Sequence, residues 1–216
     1  MSARHEILQR VRAGVGKATY AARRAAAEAS LRAPLRGPQP SIGDDLVARF
    51  QDKALSLASS IERISDPAAL PGAIKRFLAA GGLPGQAVVS ADLASLDWLG
   101  SGLEVAVRPA VDADRVGISS CFCAIAETGT LMLLSGAETP ATVSLLPETH
   151  IALVPRARIV ATMEDAFALL RAERGGLPRA INFISGPSRT GDIEQTIVLG
   201  AHGPCRVHLI LSGESL

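Results

Sequence analysis

Apolar positions along the chain change their period several times, and each change marks an element. Ile7, Leu8, Val11 and Val15 recur at helical spacing, so the first stretch reads as an amphipathic helix. LRAPLRGPQP, Leu31 to Pro40, follows as a Pro- and Gly-rich linker. Beyond Gly43 helical and strand patterns alternate. Leu46 to Ser59 predicts a helix, and Pro71 to Ala80 a second that stops at the Gly81-Gly82 pair. Ala87 to Ser90 is a short buried strand, Leu93 to Leu99 a short helix and Val105 to Arg108 another strand. Strands are also predicted at Ala124 to Ala126, Leu131 to Leu134, His150 to Val154, Ile181 to Ser185 and Val207 to Leu211. The helix Glu164 to Arg171 carries Thr162 and Asp165 at capping-box spacing, and a short helix is expected around Ile193 to Leu199. This βαβ rhythm predicts an α/β body with a mainly parallel sheet flanked by helices, residues 41–216, behind a helical arm and linker, residues 1–40.

Three glycine-punctuated stretches carry the candidate chemistry. In Ser185-Gly186-Pro187-Ser188-Arg189-Thr190 a strand runs into hydroxyls and a guanidinium just ahead of the expected helix. Backbone N–H groups, Gly186, Ser188, Arg189 and Thr190 could there surround a carboxylate or phosphate. The same residues could equally shape a turn, with Asp192 capping the helix and Arg189 paired to Asp192 or Glu194. In Ala126-Glu127-Thr128-Gly129-Thr130, Glu127 stands between an apolar strand and a glycine turn, a setting that favours its protonated form and suits acid or base work. Its alternative is to bind Arg189 or the turn's own backbone. In Gly200-Ala201-His202-Gly203-Pro204, His202 is placed to reach a ligand or move a proton, or to make a structural hydrogen bond. His150, at a strand start, reads as a core-edge residue, and no two histidines fall at metal-ligand spacing.

The strings AIAETGTLMLLSG, SLLPETHIALVPRARIV and ISGPSRTGDIEQTIVLGAHGP, in this order from Ala124, resemble the lactate-utilisation protein C family of LUD-domain proteins. The resemblance covers roughly Gly43 to Leu211 and is close from Ala124 onward. It implies the fold shared by ribose-phosphate isomerases, glucosamine-phosphate deaminases and coenzyme A transferases, and a part in oxidising L-lactate to pyruvate beside iron–sulfur partner proteins. Two functions follow as expectations. One is an accessory subunit that binds a small anion near Arg189. The other is an independent enzyme acting on a phosphorylated or coenzyme A-linked molecule through Glu127. The nucleophilic glutamate of the transferases is not carried over, because its surrounding motif is not recognisable here.

Composition narrows these readings. With 216 residues, 48% hydrophobic, the chain can bury a sizeable core. Aromatic residues are only 3%, which argues against a stacking platform for nucleic acid. No apolar run reaches the roughly 18 residues of a membrane helix and the N-terminus lacks a secretory block, so a soluble, cytoplasmic protein is expected. The net charge of +1 is unevenly spread: residues 1–40 hold eight Lys/Arg against two Glu, or +6, and the remainder 14 against 19, or −5. The arm could dock on its own body, on a partner subunit or on the acidic face of a second copy, which would make a homo-oligomer. GVGKAT, Gly14 to Thr19, lacks the first glycine and last hydroxyl of a phosphate-binding loop and predicts a helix end or a loop. Cys121, Cys123 and Cys205 supply none of the repeated CxxC spacings of a cluster or structural zinc site. The chain is therefore not expected to hold its own cluster, although the CxC pair can still bind adventitious copper or zinc; the resemblance implies that the iron–sulfur clusters sit in partner proteins.

Overall fold

A computed structural model describes residues 3–15, 18–33, 37–191 and 198–213. The chain divides into two compact units, Met1–Gln39 and Pro40–Leu216. In the first, α1 (Ala3–Gly14) is followed by a second helix, α2 (Tyr20–Arg32), capped where Thr19 Oγ1 accepts from Ala22 N at 3.2 Å. The sequence AARRAAAEAS has little apolar periodicity but high helix propensity, which explains why α2 exists where only one amphipathic helix was expected. Neither helix buries a residue. Exposed i,i+4 pairs, Arg10–Glu6 at 2.9 Å and Arg24–Glu28 at 2.8 Å, add a few tenths of a kcal/mol each, about 0.2–0.5.

The second unit opens with α3 (Leu46–Ser56) and β1 (Ser60–Ile64), then α4 (Leu70–Ala80), β2 (Gln86–Val89), α5 (Trp98–Ser101), β3 (Glu104–Val107) and β4 (Val116–Ser120). The expected helix at Leu93 to Leu99 is instead a 3₁₀ turn at Ala91–Leu93 followed by α5. Asp97 restarts the helix by accepting from Gly100 N at 2.8 Å, so it caps the chain there instead of continuing it. A hairpin, β5 (Cys123–Ile125) and β6 (Thr130–Leu134), leads to α6 (Ala141–Leu145), β7 (Thr149–Pro155) and β8 (Ile159–Val160). Next come α7 (Met163–Arg174), β9 (Ile181–Ile184), β10 (Arg189–Thr190), β11 (Val198–Leu199) and β12 (Arg206–Ser212). The helix expected around Ile193 to Leu199 falls largely outside the described residues, and its last two positions form β11, antiparallel to β10. The Thr162–Asp165 capping box at α7 is present.

Six strands form one wholly parallel sheet in the order β1-β12-β7-β4-β2-β3. Four others form a smaller mixed sheet, β8-β5-β6-β9, in which β6 is antiparallel to both neighbours. Strand alternation sorts side chains into layers. Ala152, Val154, Leu209 and Leu211 face α3 (Phe50, Ala54) and the inner side of the small sheet (Ala124, Leu131, Leu133). Ile151, Leu153, Val89 and Ile118 face α4, whose Leu70, Ile74 and Leu78 recur every four residues. Cys123, Ile125 and Met132 on the outer side of the small sheet pack under Ala166 and Leu170 of α7. Each fully buried Leu or Ile of α4 contributes roughly 1.5–3 kcal/mol over an exposed position.

Candidate functional site

Two of the three glycine-punctuated motifs converge on the C-terminal end of α3. That helix ends in a Schellman arrangement, with Ser59 N donating to Ala54 O at 3.0 Å and Ala58 N to Leu55 O at 2.9 Å, and Ala58 held at φ 66°. Gly129 (φ +67°) lies so close to this end that a Cβ there would stand 2.6 Å from Ala54 N; at Gly186 (φ +82°) it would stand 2.4 Å from Leu57 O. The exposed Arg189 donates to the same Leu57 carbonyl at 3.3 Å, a placement that the partial negative charge of a helix C-terminus favours. A hydroxyl chain ties the two turns together, Thr128 Oγ1 to Thr130 Oγ1 at 2.7 Å and Thr130 Oγ1 to Ser185 Oγ at 2.7 Å. Thus Thr128, Gly129, Thr130, Gly186 and Arg189 are brought together. Glu127 is half-buried at the edge of this cluster, its backbone N–H bonded to Ala161 O at 3.0 Å. Ser188 and Thr190 belong to the β10–β11 ribbon, where Ser188 N donates to Pro204 O at 2.8 Å and Gly200 N to Ser188 O at 2.9 Å. His202 is exposed in the loop that returns to the amino end of β12. The suggested partners Asp192 and Glu194 lie outside the described residues.

A cavity of about 950 Å³ lies elsewhere, at the carboxyl ends of the parallel strands; none of the candidate catalytic or anion-binding residues lines it, although Cys121 of the CxC pair does. The chain leaving β2 turns outward to β3, whereas the chain leaving β4 proceeds the other way, to β7 and β12. The adjacent carboxyl ends of β2 and β4 are therefore a topological switch point, where open α/β sheets bind ligands. Ser90 and Asp92 follow β2, and Ser119 and Ser120 end β4. Asp92 joins the two strand ends by accepting hydrogen bonds from the hydroxyls of Ser90 and Ser120, one on each carboxylate oxygen. The far wall comes from the end of β6, the loop before α6 and the segment after α7. There Arg158 makes a two-pronged pair with Glu173, at 2.6 and 3.0 Å, lies 4.7 Å from the centre of the Phe122 ring and donates from Nε to Phe122 O at 2.7 Å. Glu173 holds the guanidinium firmly charged, and the guanidinium in turn lowers the Glu173 carboxyl below its usual range.

Behind the cavity, Ser119 Oγ and His150 Nε2 are 2.9 Å apart. His150 is fully buried, its other ring nitrogen has no partner among the described residues, and burial pushes its pKa down to about 4. His208 is likewise neutral, pushed to about 4 by burial; it stacks on Phe77 with ring centroids 3.9 Å apart and bonds Ser60 Oγ through Nδ1 at 2.8 Å. Cys121 and Cys123 do not form a chelating pair: a bend at Phe122 sends Cys121 into the core between the sheets and Cys123 toward Met132 and α7. Burial raises both thiols, Cys123 to about 11 and Cys121 further. Among the described residues no three His, Cys, Asp or Glu side chains are placed to share a metal ion.

The cavity residues at the ends of β2 and β4 were silent in the sequence because no glycine punctuates those strand ends. The available signal was Ser90-Ala-Asp92 directly after a short buried strand. Val116-Gly-Ile-Ser-Ser120 hid as a strand because Gly117 and two serines dilute its apolar alternation. Gly117 is needed there, since a Cβ would overlap Val143 O of α6 at 1.9 Å.

A six-stranded parallel sheet with a strand-end crevice, backed by a small mixed sheet, defines the class: an α/β protein built around a switch-point cavity. The LUD domain matches residues 48–212, and the chain belongs to that family. A protein from an Exiguobacterium species named "Lactate utilization protein C" is 40% identical over 120 residues, 54% of this chain and 52% of its own length. One of the same name from Bacillus subtilis is 39% identical over 118 residues, 53% and 49% of the two chains. The matches thus span about half the length of these curated relatives. The crystal structure of a DUF162-family protein from Deinococcus radiodurans superposes with a TM-score of 0.59 at 26% identity, over 78% of this chain and 97% of that one. No helix among the described residues is long and apolar enough to cross a membrane.

Proposed function

We propose that this chain takes part in the utilisation of L-lactate, as a small-molecule-binding component working beside iron–sulfur partner proteins that carry the electrons. The relatives named "Lactate utilization protein C" support the pathway. The observation that carries the binding role is the switch-point cavity with Asp92 holding Ser90 and Ser120 across the ends of β2 and β4. Neutral His150, hydrogen-bonded to Ser119, would fix the orientation of that hydroxyl at the cavity edge without placing a charge in the core. Arg189 with Ser188 and Thr190 is the proposed secondary contact for an anion or a partner.

The test is lactate-dependent reduction of an artificial acceptor by the iron–sulfur partners, with the protein omitted, added, or added as Ala137→Trp. Ala137 is exposed on the cavity wall, so the indole narrows the cavity without entering the core. Loss of activity on omission and with the tryptophan variant is expected. Full activity without the protein would overturn the reading. One observation favours a second reading, an independent enzyme of the isomerase and transferase fold class. At about 950 Å³ the cavity is at the upper end of the range for drug-sized ligands, roughly 300–1,000 Å³, and far exceeds a three-carbon acid. Turnover of a coenzyme A-linked or phosphorylated compound by the purified chain alone would establish it.

A further inference from the structure

The hydrogen-bond accounting of the cavity points to the kind of ligand it takes, resting on the reading of this cavity as the ligand site. Four of the hydroxyls that line it, those around Asp92 included, spend their protons on the protein. Ser90 and Ser120 donate to Asp92, Thr139 to Leu134 O at 2.8 Å and Ser144 to Ala141 O at 3.1 Å. Each of these oxygens therefore offers lone pairs, not protons, to an occupant. A carboxylate has about four lone-pair sites, so Asp92 keeps acceptor capacity on both oxygens after its two serine bonds. Charge leans the same way: three carboxylates, Asp92, Glu138 and Glu173, line the cavity against two guanidinium groups, Arg158 and Arg174, and Arg158 is spent on Glu173. An acceptor-rich, slightly acidic floor repels a free carboxylate or phosphate and suits a molecule that brings donors. Two neighbouring hydroxyls of a sugar match the two oxygens of one carboxylate, the chemistry by which an acidic side chain near a strand end holds a ribose in dinucleotide-binding folds. Apolar side chains of Leu133, Leu177 and Pro178 supply a wall for a flat ring beside it.

We propose that the cavity binds its ligand through a vicinal diol, the ribose of a nucleoside-like molecule, seated on Asp92 and on the lone pairs of Ser90 and Ser120. Lactate itself is then not the occupant of this site.

Calorimetry on the full chain with adenosine, 2′,3′-dideoxyadenosine, free ribose, L-lactate and inorganic phosphate tests this. Adenosine should bind, and removing the diol should weaken it at least about tenfold, since hydrogen bonds to a charged acceptor are lost. Asp92→Asn should weaken adenosine similarly; should that variant fail to fold, the dideoxy comparison on the unaltered protein decides alone. Equal binding of adenosine and its dideoxy analogue would overturn the proposal. So would displacement of adenosine by lactate or phosphate, or no binding of adenosine and ribose at millimolar concentration. If no diol binds while Ala137→Trp still abolishes lactate-dependent reduction, this inference falls and the proposed function stands. If adenosine binds as expected but the protein is dispensable for lactate oxidation, the reverse holds.

Discussion

The two polar regions of the second unit are built on opposite principles. At the C-terminal end of α3, the turns around Gly129 and Gly186 press backbone against backbone, hydroxyls satisfy one another, and Arg189 reaches a helix carbonyl. At the carboxyl ends of β2 and β4 no glycine tightens the chain, and serines and one aspartate stand around about 950 Å³ of space. The first region is a clamp and the second a vessel. In this chain a conspicuous string of Gly, Ser and Thr records where the backbone must come close, while unremarked residues just past strand ends gather around the space.

The clamp should break most expensively. Gly186→Ala would force a Cβ to 2.4 Å from Leu57 O at a φ of +82°. Overpacking and left-handed strain together should cost about 3–5 kcal/mol, read as a lowered urea midpoint. A midpoint within error of the parent would show that the turn can move away and is no clamp. The two buried histidines should instead carry the pH dependence. Burial pushes His150 and His208 down to about 4 in the folded chain, below the ordinary imidazole value of 6.5 that they regain on unfolding. Between those values the unfolded chain holds protons that the folded chain does not. Stability is thus full above about pH 6.5 and falls as pH drops toward 4, by up to about 1.4 kcal/mol per pH unit for each histidine. Identical urea midpoints at pH 7 and pH 5 would mean that neither ring is held neutral. The smallest effect has the opposite sign: Ala58→Gly relieves a left-handed alanine in the Schellman turn and should raise stability by up to about 1 kcal/mol, seen as a higher melting temperature. A lower one would mean that the alanine methyl contributes more than its strain costs.

Much of the fold was legible because periodicity reports burial. The strands at 87–90, 124–126, 131–134, 150–154 and 207–211 and the helices near 46–56, 71–80 and 164–171 are apolar enough to announce themselves, and the α/β, mainly parallel character follows from their alternation. β1 was not legible. Ser60-Ile-Glu-Arg-Ile64 is an edge strand whose Glu62 pairs with Arg76 at 2.6 Å and whose Arg63 bonds Gln51, so its outward polarity hides the pairing of its backbone with β12. The separation of the small mixed sheet was also hidden, because the direction of a strand leaves no trace in its alternation. As for the site, sequence located the residues that meet at the end of α3, but chemistry at a switch point depends on strand order, which no local pattern encodes.

The position of β12 has a consequence for how the molecule comes into being. This strand lies between β1 and β7, so Ser60 is joined to His208 across 148 positions of sequence, and β1 has β12 as its neighbour in the sheet. During synthesis, which proceeds from the N-terminus, β1 emerges early and must wait for a partner made more than a hundred residues later. Until then both β1 and the flank of β7 present open strand edges and the apolar faces of α3 and α4. Closure is therefore a late, single event of high contact order, and a nascent chain stalled before Arg206 would be the form most exposed to aggregation and to chaperones.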